Sequence, residues 1–151
     1  VAETVANSLN EQLFPLLQKE RFVLLTTIDK VTGGPNTSAI SWIYARNELT
    51  ISFAVDNRSR IVENIKNNQF VTLTLIGAGS VYSIAGEATV EVEKMEDVPL
   101  KLAKISVQIK EVRDVMFYGS RISVEPQYEK TYNKQAAAKL DEQVMTALKK
   151  A

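Results

Sequence analysis

At 151 residues, with 45% hydrophobic and 24% charged residues, the chain has the size and composition expected of one globular domain. Eighteen Lys and Arg balance eighteen Asp and Glu, so no global field draws it to nucleic acid or an anionic membrane, and any anion site must be local. Cysteine and histidine are both absent, which excludes disulfides, thiolate catalysis, cysteine-ligated zinc, imidazole bases and histidine-ligated haem.

Residues 1–17 carry Glu3 and Glu11 and have no basic stretch followed by an apolar block, so they do not read as a signal peptide. No apolar run is long enough to span a bilayer, and the expectation is a cytoplasmic protein. Val5, Leu9, Leu13, Leu16 and Leu17 recur at helical spacing, with Ser8 and Glu11 as a capping box and Pro15 bending or restarting the segment. One or two short helices are expected there. Residues 21–29 read as a central strand and 36–45 as the next, with Gly33 and Gly34 in the turn between them. Residues 48–55 return as a hairpin.

From Asp56 the chain turns polar and basic, and then Ile61, Val62 and Ile65 take helical spacing over 56–68. Strands follow at 69–76 and 81–93, the second holding Gly86 as a sign of a bulge or a close backbone approach. Met95, Val98, Leu102, Ile105, Ile109, Val112 and Met116 keep a three-four spacing, which predicts a long helix near 97–116. Asp97 is its expected cap. A last strand is expected over about 121–125, and Asn133 caps a C-terminal helix with Leu140, Val144 and Leu148 on one face. The sum is a mainly β fold, a barrel of roughly six strands with flanking helices, in a single domain over 1–151.

Four features bear on chemistry. Asp56, Asn57, Arg58, Ser59 and Arg60 lie between a strand and a helix start, where unpaired N–H groups, two guanidiniums and a hydroxyl can cradle a phosphate. The same residues also suit a plain helix cap with solvated arginines, and the lack of glycines rules out a P-loop. Thr37, Ala39 and Ser41, and then Thr50, Ser52 and Ala54, give two strands a face of small residues, fit for a flat ring or for a tapering barrel interior. Trp42 and Tyr44 share the opposite, bulky face and can stack on a ligand, form a dimer contact or fill the core. Glu87, Glu91 and Glu93 read as a solvated strand face rather than a metal cluster.

The run from Arg21 to Asp29, then Gly34 and Pro35, the strand from Thr37 to Tyr44, the Asn57-Arg58-Ser59-Arg60 turn and Glu63-Asn64-Ile65 together resemble the pyridoxamine 5′-phosphate oxidase-like family. The resemblance covers about residues 15–93 and implies an FMN-binding split β-barrel, usually a homodimer with flavin at the subunit interface. It implies phosphate binding by Ser59 and Arg60 with Arg58 as a helper. It places Ser41, Trp42 and Ile43 against the flavin ring through backbone groups, with Thr26 and Thr27 near that ring. Arg60 stands where many members have Lys, a change a phosphate tolerates. Two features depart from true pyridoxamine-phosphate oxidases: Ser80-Val81-Tyr82-Ser83 replaces a basic, Gln-containing stretch, and the Arg- and His-bearing tail is missing. Pyridoxamine phosphate is therefore not the expected substrate, and the haem-degrading relatives, which use His, are disfavoured too.

The expectation is an FMN-dependent oxidoreductase acting on a small molecule, with no catalytic acid or base identified and no metal. The alternatives are a non-catalytic split-barrel module for another flavin-type or anionic ligand, and a dimeric interaction protein without cofactor.

Overall fold

The computed structural model describes residues 5–150. Residues 1–4 and 151, including Glu3 of the predicted start, lie outside the described residues. Eight strands are present among them: β1 (Val5–Ala6), β2 (Val23–Ile28), β3 (Pro35–Ile40), β4 (Ile43–Asn47), β5 (Thr50–Asp56), β6 (Phe70–Gly77), β7 (Ser80–Val92) and β8 (Leu102–Asp114). Two α-helices accompany them, α1 (Arg60–Asn67) and α2 (Lys134–Lys149). All pairings are antiparallel in the order β3-β2-β6-β7-β8-β5-β4, and β1 adds to β8. The fold is mainly β, a split barrel with flanking helices.

Period-two alternation explains which side of the sheet is core. Val23 and Leu25 on β2, Leu73 and Leu75 on β6 and Ile84 on β7 point inward with Ile105 and Val107 of β8, all nearly inaccessible. The other parity runs Thr37, Thr26, Thr72, Ala85 across four strands and stays half-buried or exposed. α1 closes the barrel with Val62 and Ile65. α2 packs Val144 and Leu148 over a second cluster with Ala54, Met95, Leu102, Trp42 and Tyr44.

The predicted helix near 97–116 is instead strand β8. Its segment satisfies two periods at once: Leu102, Ile105, Ile109 and Val112 keep helical spacing, while Ala103, Ile105, Val107 and Ile109 alternate with Lys104, Ser106, Gln108 and Lys110. The β-branched content and two long partners, β7 and β5, decide for the strand. Asp97 accordingly caps no helix and takes a positive φ of 65° in the connection. The strand expected at 121–125 is irregular, since β8 already has neighbours on both sides and Gly119 turns the chain at φ 84°.

The helix expected before residue 20 reduces to a 3-10 turn at Pro15–Leu17, preceded by a turn that Asn10, rather than Ser8, caps through Oδ1 to the amides of Gln12 and Leu13. Leu9, Leu13 and Leu17 are still buried. The strand read over 36–45 breaks at Ser41 and Trp42 into β3 and β4, so that one chain segment passes from one end of the strand order to the other. Gly86 sits at a bulge between β7 and β8, where an added Cβ would lie 2.5 Å from the Gln108 carbonyl oxygen. Asn133 caps α2 as expected, its Oδ1 accepting from the amides of Gln135 and Ala136.

Candidate anion site at the start of α1

The turn between β5 and α1 is held by its own side chains. Asp56 Oδ1 accepts from the Arg58 amide at 2.8 Å, and the Ser59 amide donates to the Asp56 carbonyl at 3.0 Å. Ser59 then acts as the helix N-cap, its Oγ accepting from the Ile61 amide at 3.0 Å. Asn57 anchors the turn to the barrel, donating from Nδ2 to the Glu93 carbonyl and from its amide to the Lys101 carbonyl.

In front of this helix start lies an open cavity of about 430 Å³, lined among others by Thr27, Asn36, Thr37, Ser38, Ser59, Arg60 and Asn64. Arg60 is 72% exposed, and among the described residues its only ion-pair partner is Asp29, at a loose 3.9 Å. Asp29 is otherwise engaged, Oδ2 accepting from the Thr32 amide at 2.8 Å and the Val31 amide at 3.0 Å. These two hydrogen bonds, Thr32 first, with a smaller pull from Arg60, hold its carboxyl below the usual range. Arg60 thus keeps most of its donors for a ligand, and the described lining residues include no carboxylate.

Asn64 is the buried hub of the site, 1% exposed in the middle of α1. Its Oδ1 accepts from the Lys30 amide at 3.0 Å, and its Nδ2 donates to Thr27 Oγ1 at 3.0 Å and Asn36 Oδ1 at 2.9 Å. One side chain therefore ties α1 to β2, β3 and the loop between them. Asn36 and Asn64 were not among the site residues read from the sequence. The available signal was a polar residue on the apolar stripe formed by Ile61, Val62 and Ile65.

The structure brings together Ser59, Arg60 and Thr27 of the expected set. Arg58 lies along Asp56, 81% exposed, and does not line the cavity. Thr26 takes the opposite parity to Thr27, on the outer face, with its Oγ1 3.4 Å from Thr37 Oγ1. Ser41 follows the far end of β3, five residues beyond Asn36 and so about 17 Å away, with Trp42 in the break and Ile43 opening β4. There the Ser41 carbonyl accepts from the amides of Arg21 and Ile43, and the Trp42 carbonyl from Ala54. Ile43 is fully buried, and the Trp42 indole donates to Asp141 of α2 at 2.8 Å. The two small-residue faces do not meet: Thr37 and Ala39 face outward, whereas Ser52 and Ala54 are buried.

Asp141 belongs to a second polar cluster, in which Lys130 bridges it, at 3.1 Å, to Glu20, at 2.8 Å, and Ser41 donates to Glu20. Of the glutamate series, Glu91 pairs with Arg46 and the buried Lys104, Glu87 with Lys110 and Glu93 with Lys66. Among the described residues no helix is long and apolar enough to cross a membrane.

The family model for pyridoxamine 5′-phosphate oxidase matches residues 9–128. A Lactobacillus delbrueckii protein provisionally assigned as a pyridoxamine 5′-phosphate oxidase superposes with a TM-score of 0.59 at 19% identity, over 71% of this chain and 94% of its own. An F420 reductase gives 0.55 at 18% identity, over 68% and 96%. General Stress Protein 26 of Bacillus anthracis gives 0.54 at 13% identity, over 68% and 91%. At these identities the likeness is one of fold. No curated protein matches the sequence. The family match over residues 9–128, most of the length, establishes that the chain belongs to the pyridoxamine 5′-phosphate oxidase-like family.

Proposed function

We propose that this protein binds FMN and works as a flavin-dependent oxidoreductase on a small molecule. The observation that carries the reading is the under-used Arg60 guanidinium beside the Ser59 N-cap, at the mouth of a cavity whose described lining holds no carboxylate. A phosphate there meets charge-assisted donors and the positive end of α1. Among the described residues β3 pairs only with β2, so its outer edge offers backbone groups along a path from that cavity toward Ser41, Trp42 and Ile43. A ligand with a phosphate at one end and a flat ring at the other suits that length. The residues present thus fit the cofactor.

When bound, the flavin supplies the redox chemistry. The chain's part is to grip and orient. Arg60 and Ser59 hold the phosphate, Thr27 and Asn64 fix the wall behind it, and the edge of β3 lines the path. The described cavity-lining residues offer no carboxylic acid, lysine or tyrosine to move a proton, which favours hydride or electron transfer. The Thr26–Thr72–Ala85 face, with Ile28 and the 60%-exposed Phe70 beside it, is the surface expected to pair two copies as a homodimer.

Titrating the folded protein with FMN, while following flavin absorbance, tests the reading. Saturable micromolar binding, lost in Ser59→Asp, is the expected result. Unchanged affinity in Ser59→Asp removes the phosphate from the start of α1. Because one structural relative is an F420 reductase, the same titration with a deazaflavin separates the two ring systems.

A further inference from the structure

The polarity of the cavity wall is dictated by a single backbone amide. The Lys30 N–H can only donate, so the atom of Asn64 facing it must be Oδ1. That fixes Asn64 with Nδ2 on the other side, where it donates to both Thr27 Oγ1 and Asn36. An amide nitrogen can only donate, so Asn36 must present Oδ1 to Asn64. The Nδ2 group of Asn36 is then turned away from the hub, and it donates to nothing among the described residues. Asn36 lines the same cavity as Ser59 and Arg60.

We propose that Asn36 is an anion-binding residue of this site, its Nδ2 donating to the bound phosphate, and that Asn64 is the positioning residue that holds it donor-first. The inference rests on the phosphate reading of the cavity and adds a ligand contact to it. It also explains why a polar side chain is kept 1% exposed inside α1: a hydrophobic residue there would pack but would leave Asn36 free to turn its oxygen toward the anion.

The test compares FMN with riboflavin, which lacks the phosphate, by fluorescence titration of the wild type, Asn36→Ala, Asn36→Asp and Asn64→Asp. Asn36→Ala is expected to weaken FMN binding about tenfold and Asn36→Asp by more, with riboflavin changed by no more than about twofold. In Asn64→Asp the carboxylate still accepts from Lys30 but now draws the Asn36 amide group inward. The wall inverts, and FMN binding weakens by about tenfold or more while riboflavin binding holds. The Asn36 variants sit on an edge strand and keep the test open should Asn64→Asp fail to fold. Equal losses for both flavins, or FMN binding unchanged in Asn36→Asp, overturn the inference.

If the wild type binds neither flavin, inorganic phosphate is the probe. A rise in melting temperature with phosphate in the wild type, absent in Asn36→Asp, supports the anion site while the flavin reading falls. No phosphate effect in the wild type overturns both.

Discussion

Arg60 and Asp29 show how one ion pair can be nearly idle. The pair is 3.9 Å apart and the arginine mostly exposed, so it adds little stability. Arg60→Ala is therefore expected to leave the melting point almost unchanged while weakening FMN binding by about tenfold or more. Thermal melts beside the titration separate the two effects. Asp29 matters instead to the β2–β3 loop. Its folded carboxyl sits below the ordinary value of 3.8, so its contribution is complete above that value and is lost as pH falls through the depressed one. Protection of the Val31 and Thr32 amides, taken relative to their intrinsic exchange rates at each pH, should fall below about pH 4 in the wild type. In Asp29→Asn that protection should not change across the same window. Ser59 and Arg60 were legible as candidate phosphate-binding residues because turn chemistry is local, whereas Thr27 came only with the family resemblance, paired with Thr26 and assigned to the ring. Asn36 and Asn64 were not legible, because their meeting depends on how α1 docks against the β2–β3 loop.

Elements were readable where one period dominated. α1 and α2 announce themselves by caps and a single apolar stripe, with Ser59 and Asn133 at their starts. β8 did not, because its apolar residues fit both a three-four and a two-residue repeat, and only its pairing with β5 and β7 settles the choice. The bulge at Gly86 was visible as a glycine within an apolar strand. Its tightness was not, since the 2.5 Å approach to the Gln108 carbonyl arises across the sheet. Backbone cannot yield as a flexible side chain can, so Gly86→Ala should destabilise the protein by about 1–3 kcal/mol, measured by urea unfolding. An unchanged midpoint would show that the β7–β8 register relaxes freely.

Across the whole molecule, polar ties fasten the C-terminal segment to the barrel. Lys130 joins Glu20 and Asp141, and Asp141 holds the Trp42 indole. Burial works against the Lys130 charge, yet the two carboxylates outweigh it and raise its pKa. Lys130→Met leaves two half-buried carboxylates without their cation and is expected to cost about 1–2 kcal/mol. The sole tryptophan sits in this joint, so its fluorescence should report the loosening of α2 ahead of global unfolding. The joint lies at the opposite end of β3 from the anion cavity, so Lys130→Met should spare the discrimination between FMN and riboflavin.

Parallel titration of the folded wild-type protein with FMN and with riboflavin measures directly whether the start of α1 grips the phosphate of a flavin. Saturable FMN binding at micromolar concentration or below, at least about tenfold tighter than riboflavin, is expected. Equal affinity for the two flavins, or no FMN binding at tens of micromolar by a protein that melts cooperatively, would contradict it.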